Sequence, residues 1–176
     1  MAGVGIPRAK RGGILVVLIG LPGAGKSTLA RALARHCGFA RIDRDALRAA
    51  LFPGRRVTAA QKRAANAAVW RAVAVLLRER RSVVVDGMTF ASAAQRRRAR
   101  VLARRLRARC VEVFLDCPVA LARERIAAGA AHPATDRSPA LVGRVARRFE
   151  PVSRRAVRLD ARQSRRELLR RLREAL

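Results

Sequence analysis

The chain has 176 residues, of which 51% are apolar, and these values predict one globular domain and exclude a disordered chain. Its 40 basic and 12 acidic residues give a formal net charge of +28, and 37 of the basic residues are arginines. No apolar run approaches the length that crosses a bilayer, so we expect no membrane-spanning segment.

The arginine excess has two interpretations. Arginine either replaces lysine and other residues across solvated helix faces, or it forms a surface that attracts polyanions such as RNA or DNA. The chain has five Phe, one Trp and no Tyr, so it supplies few rings for base stacking. The arginines are also spread over most predicted helices rather than gathered in one block. Nucleic acid stays a candidate partner.

The N-terminal residues and the cysteines indicate the cellular compartment of the protein. Residues 1–13 lack periodicity and predict a flexible basic tail before a domain that spans 14–176. The basic residues of this tail and the apolar run after it also resemble a secretory signal peptide, but cleavage near Ala24 would cut the loop described next. Cys37, Cys110 and Cys117 form no Cys-x-x-Cys pair and predict reduced thiols in a cytoplasmic protein.

A phosphate-binding motif follows the first predicted strand. Residues 14–19 (ILVVLI) form an apolar, β-branched run suited to one buried strand. Residues 20–27 (GLPGAGKS) fit Gly-x-x-x-x-Gly-Lys-Ser/Thr, the P-loop or Walker A motif. Apolar residues at helical spacing come next, so the motif has the strand, turn and helix that it requires. It predicts a nucleotide-binding site.

Each residue type of the motif has a physical role. Glycine has no Cβ, so the loop can turn its N–H groups inward around anionic oxygens, and the helix N-terminus adds its dipole. We expect Lys26 to bind the β and γ phosphates and the Ser27 hydroxyl to coordinate Mg²⁺. The predicted phosphate-binding residues are Gly20, Gly23, Ala24, Gly25, Lys26, Ser27 and Thr28.

The later elements alternate between helices and strands. The first helix is predicted to end near Cys37 at Gly38, and a short extended piece from Ala40 leads into a helix broken by Pro53 and Gly54. Capping boxes at 58–61 and 92–95 predict two more helices. The remaining predicted segments are strands at 82–86, 111–116 and 156–159, helices after 118, up to 149 and from 164, and an irregular lid at 129–139.

This alternation predicts an α/β fold, with a parallel sheet covered by helices on both faces. Ligands of such sheets bind beyond the carboxyl ends of the strands. Asp43, Asp45, Asp86 and Asp116 lie at or just past predicted strand ends, as the P-loop does. We therefore expect all of them to converge on one cleft.

Phosphoryl transfer would need three kinds of residue around the P-loop. Asp45 or Asp43 is the candidate that orients or deprotonates an acceptor hydroxyl, although Asp45 also suits a helix N-cap. Asp86 is the candidate acid for Mg²⁺, and Asp116 is the second choice. The candidate arginines for the phosphates are Arg123 and Arg125 before the lid and Arg137 inside it.

Five segments together resemble a known group of enzymes. They are GLPGAGKST (20–28), IDRDALR (42–48), VVVDGMT (83–89), FLDCP (114–118) and RER (123–125). They resemble the small P-loop kinases, the group that holds adenylylsulfate kinase, the kinase module of polynucleotide 5′-kinase and predicted AAA-type kinases. The resemblance covers roughly residues 14–160, and its first two motifs are the specific ones.

The resemblance implies a three-layer P-loop NTPase fold with a five-stranded parallel sheet, a short lid, and ATP- and Mg²⁺-dependent phosphorylation of a hydroxyl. By the same resemblance, Asp45 handles the acceptor hydroxyl, Arg48 holds a phosphate of the acceptor, and Arg125 is the lid-helix arginine. Phe149 lies where adenylylsulfate kinases carry a Phe-Thr-Gly-type stretch with aromatic stacking on the acceptor adenine, so it is a candidate substrate contact. The chain departs here, because the stretch is reduced to RRFEP (147–151).

Three functions follow from these residues. The leading hypothesis is a kinase for a small hydroxylated metabolite or nucleotide, similar to adenylylsulfate kinase. The second is a kinase for polynucleotide or tRNA hydroxyls, favoured by the charge. The third is a non-catalytic switch that binds ATP, against which the segment DRDALR (43–48) argues because it supplies an acceptor site.

Overall fold

A computed structural model describes residues 12–53, 57–129 and 138–176. Most of the predicted tail, Arg137 and most of the predicted lid at 129–139 therefore lie outside the described residues. No helix within the described ranges combines the length and the apolar character that a membrane span needs.

Five parallel strands form one sheet. They are β1 (Ile14–Ile19), β2 (Ala40–Asp43), β3 (Val83–Asp86), β4 (Arg109–Asp116) and β5 (Val157–Asp160). Their order across the sheet is β2-β3-β1-β4-β5. Strand β1 lies at the centre with all its residues buried, which explains its uninterrupted apolar sequence.

Helices cover both faces of this sheet. In the described residues they are α1 (Lys26–Cys37), α2 (Arg44–Leu51), α3 (Ala59–Arg78), α4 (Ala93–Arg105), α5 (Val119–Ala127), α6 (Pro139–Arg147) and α7 (Arg165–Ala175). Val16 and Leu18 of β1 pack in a core with α1, α5, α6 and α7, whereas Leu15 and Val17 pack in a second core with α3 and α4. The three-layer fold and the five-stranded parallel sheet are confirmed.

The local signals for helix ends are largely confirmed. Gly38 ends α1 with a left-handed φ of 68°, and both predicted capping boxes are present at the starts of α3 and α4. The alternative role of Asp45 as an N-cap is wrong. Asp43 caps α2, because its Oδ1 accepts hydrogen bonds from the N–H groups of Asp45 at 3.0 Å and Ala46 at 3.2 Å.

Three strands begin at residues other than those predicted, because pairing with a neighbour decides where a strand starts. Strand β3 begins at Val83 rather than at residue 82. Strand β4 begins at Arg109 rather than at residue 111, since Arg109 and Cys110 pair with Ile14 and Leu15 of β1. Strand β5 begins one residue late, because Val157 is the first residue that pairs with β4. Such partners are distant in sequence, so composition alone does not reveal them.

One arginine of α4 points inward. Arg96 is 2% exposed and donates hydrogen bonds to the carbonyls of Phe90 at 2.8 Å, Ala91 at 3.0 Å, Glu150 at 3.4 Å and Pro151 at 2.7 Å. The sequence predicts a solvated arginine face for this helix, and Arg96 is the exception. Its hydrogen bonds connect the segment after β3 with the segment that leads into β5.

We expect Arg96→Ala to lower the free energy of unfolding by about 3 kcal/mol, because several carbonyls lose a charged donor. The matched control is Arg97→Ala at the exposed neighbouring position, which should change the stability by less than about 0.5 kcal/mol. Urea denaturation of both variants measures the difference. If both variants lost equally little stability, the stabilising role that we assign to Arg96 would be wrong.

Candidate active site

A cavity of about 610 Å³ includes the P-loop and residues directly after β3 in its walls. Helix starts and strand ends meet there, as expected for a parallel sheet. Its lining includes residues 22–29, Arg31, Arg44, Asp45 and residues 86–89. It also includes Arg125, Leu141, Val145, Ala161, Gln163, Arg165 and Leu168.

The P-loop needs its glycines for two physical reasons. Gly23 and Gly25 have left-handed φ values of 87° and 95°, which side chains rarely adopt. A Cβ at Gly23 would also lie 2.4 Å from the carbonyl oxygen of Ala122, at the start of α5. The loop therefore packs closely under α5 while its backbone turns into α1.

Lys26 lies over the backbone of its own loop. Its Nζ donates hydrogen bonds to the carbonyl oxygens of Gly20 at 2.9 Å and Leu21 at 2.7 Å. The side chain is buried at the cavity wall. The protein thus holds the ammonium group against the first residues of the loop, whose last residues lead into the positive end of the α1 dipole.

Ser27 and Asp86 form the second polar pair of the cavity. The Ser27 hydroxyl donates a hydrogen bond of 2.8 Å to Oδ1 of Asp86, which also accepts one of 2.7 Å from the N–H group of Gly87. Nε of Arg41 donates to Oδ2 of Asp86 at 2.9 Å, and Nη2 of Arg41 also contacts Asp43. Asp86 is 1% exposed, so these partners compensate for a buried charge.

This pair fits Mg²⁺. A hydroxyl and a carboxylate oxygen are hard ligands, and Mg²⁺ takes few protein ligands and keeps several waters or substrate oxygens. The described ranges contain no cluster of three or more His, Cys, Asp or Glu residues that could hold a metal ion by themselves. Ser27 contacts Asp86, whereas Asp116 pairs in register with Asp160 of β5 and does not line the cavity.

Asp45 lies between two arginines in the first turn of α2. Its Oδ1 is 2.7 Å from Nη2 of Arg44 and 3.8 Å from Nη2 of Arg48, and its residue is 5% exposed. A Cβ at Gly87, which has a φ of 75°, would lie 2.9 Å from the backbone nitrogen of Asp45. Glycine at this position therefore lets the end of β3 approach α2 and brings Asp45 and Asp86 to one cavity.

The structure brings only part of the predicted set together. Arg125 lines the cavity, and its Nη2 donates a hydrogen bond of 2.9 Å to the carbonyl of Ala161. Residues outside the lining are Gly20, Asp43, Arg48, Asp116, Arg123 and Phe149. Arg48 is buried beside Asp45, and Phe149 packs against Phe114 with ring centroids 6.0 Å apart.

Arg123 has a different neighbour from the one expected. Its Nη2 lies 2.7 Å from the position of a Cβ built on Gly143 of α6, so its side chain occupies the contact between α5 and α6. Arg137, the third arginine predicted to bind phosphate, lies outside the described residues. Arg125 is thus the member of this group that the cavity includes.

Sequence reasoning gave no role to several polar residues in or near the cavity, and Arg41 and Gln163 show two different reasons. Arg41 precedes Asp43 by two positions, and a spacing of two in a strand places both side chains on one face, so a signal existed. Gln163 follows β5 and lines the cavity far along the chain from the P-loop. No local pattern marks it, because its position depends on how the segment between β5 and α7 folds back.

The thiol beside the P-loop is not an activated nucleophile. Burial raises the pKa of Cys117, while the positive charges of Arg125 and Lys26 lower it by less. The net direction is upward, so the thiol stays protonated at neutral pH. Both cations therefore act near Cys117, but they leave it a structural residue.

Solved structures of other proteins share the fold of this chain. No curated protein sequence matches the chain. A gluconokinase from Sinorhizobium meliloti 1021 is 24% identical, has a TM-score of 0.62, and the match covers 89% of this chain and 87% of that one. APS kinase CysC from Mycobacterium tuberculosis is 19% identical, with a TM-score of 0.62 and coverage of 93% and 96%.

A third solved structure is Chaetomium thermophilum Kti12 in complex with ADP-AlF3. It is 21% identical, has a TM-score of 0.67, and the match covers 92% of this chain and 98% of that one. At such identities these structures show the shared fold, and the resemblance to small P-loop kinases is confirmed at that level. The model of the AAA domain family AAA_33 matches residues 15–152. Since this match covers most of the sequence, the chain belongs to that family.

Proposed function

We propose that the protein is an ATP-dependent phosphotransferase that moves the γ-phosphate of ATP to a hydroxyl of a small metabolite or nucleotide. One observation carries the proposal: Lys26, the Ser27–Asp86 pair and Asp45 line the same cavity. These residues match the three needs of phosphoryl transfer, which are a phosphate cradle, a metal site and a group that orients the acceptor.

The P-loop would bind the triphosphate. Its N–H groups and the N-terminus of α1 supply fixed positive dipoles for the anionic oxygens. Lys26 would exchange its bonds with the carbonyls of Gly20 and Leu21 for bonds with the β and γ phosphates. Arg125, which also lines the cavity, would add positive charge as negative charge develops on the transferred group.

Ser27 and Asp86 would hold Mg²⁺. When bound, Mg²⁺ would supply positive charge to offset the negative charge that develops during transfer. Arg41 donates to Oδ2 of Asp86 and so keeps Oδ1 turned toward Ser27. Arg41 is therefore a positioning residue in this proposal.

Asp45 would orient the acceptor hydroxyl. Arg44 and Arg48 both approach its Oδ1, and no hydrogen bond between described residues reaches its Oδ2. Oδ2 can thus accept a hydrogen bond from the hydroxyl of the phosphate acceptor. A loose transition state needs little help from a strong base, so a carboxylate held by two arginines can fulfil this role. We assign Arg48 to the positioning of Asp45, because Arg48 does not line the cavity.

A transfer assay tests the proposal. Labelled ATP is offered with adenylylsulfate, nucleosides, sugars, antibiotics and 5′-hydroxyl oligonucleotides, and the phosphorylated product is identified. Transfer to a small hydroxyl compound is the expected result. Tight binding of ATP without transfer to any acceptor would contradict the proposal and favour a nucleotide-dependent switch.

The charge of +28 favours a second candidate, a kinase for polynucleotide or tRNA hydroxyls. The same assay separates the two, since turnover on oligonucleotides alone would select the second. In that case the apparent affinity for the oligonucleotide should fall steeply as salt is raised. We place either activity in the cytoplasm, because Cys37, Cys110 and Cys117 are free thiols, as is usual in a reducing compartment.

We expect Asp86→Asn to raise the Mg²⁺ concentration for half-maximal activity by about 10- to 100-fold, because a neutral amide binds Mg²⁺ and its waters less strongly than a carboxylate does. Titration of activity with Mg²⁺ at saturating ATP measures the change. The control is Asp116→Asn, which alters the corresponding end of β4 outside the cavity. A shift of equal size in both variants would refute the assignment of Asp86.

A further inference from the structure

Two neighbouring loops lie at the amino ends of the strands, away from the P-loop cavity. One joins α3 to β3 and the other joins α4 to β4. Strand β1 lies between β3 and β4, and the residues before it pass between the two loops. A Cβ on Gly12 would lie 2.3 Å from the carbonyl oxygen of Arg107, and one on Gly13 would lie 2.4 Å from that of Arg81. The chain before β1 therefore contacts both loops.

Six arginines of these loops and of the adjoining helix ends form a surface that we call the basic surface. All six are exposed, and none of their side chains has a hydrogen bond or an ion pair within the described ranges. The segments 78–82 and 104–109 contain one acid, Glu79. The exposed Arg109 is not a member, because its guanidinium donates to the carbonyls of Ala175 and Leu176. The members are Arg78, Arg80, Arg81, Arg104, Arg105 and Arg107.

The backbone of two members is strained. Arg80 and Arg107 have φ values of 57° and 54°, in the left-handed region that glycine adopts without strain. Each follows a helix at the position where glycine is usual, because the N–H of the next residue bonds back to the carbonyl of Leu76 or Ala103. The helix dipole favours the arginines inside the last turns of α3 and α4. It does not require arginine at either strained position.

The chemistry of the basic surface favours a row of phosphates. Each guanidinium presents a fork of donors that matches phosphate oxygens, and several such contacts in one place release counterions from a nucleic-acid backbone. The segments 78–82 and 104–109 contain no aromatic residue, so they offer no ring on which an unpaired base could stack. A duplex, whose bases are already stacked, needs no such ring.

A lipid surface also presents phosphates, but the basic surface lacks the second feature that stable membrane binding uses. Interfacial helices add large apolar side chains to their cations. The exposed large apolar residues of the described ranges all lie outside the two segments; they are Leu51, Val75 and Val119. The observations therefore favour nucleic acid over a membrane.

We propose that the basic surface binds the phosphate backbone of a nucleic-acid duplex without reading its bases. The six residues of β1 span about 20 Å, so this surface and the P-loop cavity lie at opposite ends of the sheet. The duplex is thus a partner and not the phosphate acceptor, which distinguishes the proposal from a kinase for polynucleotide hydroxyls. It goes beyond the proposed function and does not depend on it.

Fluorescence anisotropy of a labelled, short DNA duplex with phosphorylated 5′ ends, measured over a range of salt concentrations, tests the proposal without phosphoryl transfer. If each of the six arginines neutralises one phosphate, the logarithm of the association constant should fall against that of the salt concentration with a slope of about −5. The duplex has no 5′-hydroxyl, so its binding does not report on an acceptor site for 5′ ends.

The double variant Arg80→Gly/Arg107→Gly should bind the duplex about 10- to 100-fold more weakly at about 0.1 M salt, and its slope should become shallower by about two. Its thermal melt should not fall, because glycine adopts both backbone conformations without strain. The matched control is Arg63→Gln/Arg166→Gln, which removes two exposed arginines from the first turns of α3 and α7. This control should keep the wild-type slope.

If the glycine variant is unstable, Arg81→Gln/Arg105→Gln removes two charges from the same surface and should make the slope shallower by the same amount. Absence of duplex binding by the wild-type protein at low salt would overturn the proposal. An equal loss in the surface variants and the control would also overturn it, because the charge would then act diffusely. Vesicles of phosphatidylcholine and phosphatidylserine test the lipid alternative, and binding to these vesicles but not to the duplex would refute the proposal.

The proposed function and this inference fail separately. Duplex binding with the expected slope, but without transfer to any acceptor, supports the basic surface and removes the phosphotransferase proposal. Transfer to a small hydroxyl compound without duplex binding does the reverse.

Discussion

Lys26→Ala should lower the rate of phosphoryl transfer by about 10²- to 10³-fold, while the protein remains folded. The ammonium group acts where negative charge develops, and the loss of one such group from a preorganised site costs about this much. The fold should persist, because the core around β1 does not include this side chain. Single-turnover rates with labelled ATP measure the first effect, and a thermal melt checks the second.

The chain offers a close control for this variant. Lys62 on the exposed side of α3 is the other lysine in the described residues, and Lys62→Ala should transfer phosphate at the wild-type rate. A wild-type rate in Lys26→Ala, or an equal loss in both variants, would contradict the role of the P-loop lysine.

Asp45→Asn should lower turnover by about 10²- to 10⁴-fold, the range for a group that orients or accepts a transferred proton. The affinity for ATP should change much less, because Asp45 is not part of the P-loop and is expected to face the acceptor. Comparison of the turnover number with the dissociation constant for ATP separates the two effects.

Asp160→Asn is the control for Asp45→Asn. Asp160 likewise pairs with an arginine, Arg162, but it ends β5, is partly exposed and does not line the cavity. Its substitution should leave turnover unchanged. Normal turnover in Asp45→Asn would remove Asp45 from the mechanism and transfer the role to Asp43, which shares the start of α2.

The sequence predicted those features whose determinants lie within a few residues of one another. The P-loop, the end of α1 at Gly38 and the capping box at Thr58 each depend on a short segment, and the structure contains all three. Strand alternation then predicted the parallel sheet, because helical crossovers permit few other arrangements. Both the local elements and the fold class could therefore be predicted from the sequence.

The side-chain contacts that could not be predicted from the sequence join residues that are far apart along the chain. Ser27 and Asp86 are 59 positions apart, and Arg41 and Asp86 are 45 apart. Their contacts exist because β1, β2 and β3 lie side by side, which no local signal specifies. Asp43 and Asp116 also end strands, yet neither lines the cavity, and the strand pattern alone does not show which of these side chains reach it.

The arginine excess illustrates a further limit. Composition treats all arginines alike, yet Arg96 is buried among carbonyls, Arg100 pairs with Glu112 in the sheet, and Arg170 pairs with Glu167 on an exposed helix face. The burial and partners of each side chain decide its role. A single charge value therefore cannot distinguish structural arginines from those that would contact a polyanion.

Calorimetric titration of the purified protein with Mg·ATP tests the central claim most directly. The claim is that the cavity around Lys26, Ser27 and Asp86 binds a nucleoside triphosphate through its phosphates. We expect saturable binding at one site per chain, and we expect the Lys26→Ala variant to lose most of that affinity. Absence of measurable binding of either Mg·ATP or Mg·GTP to the wild-type protein would contradict the claim.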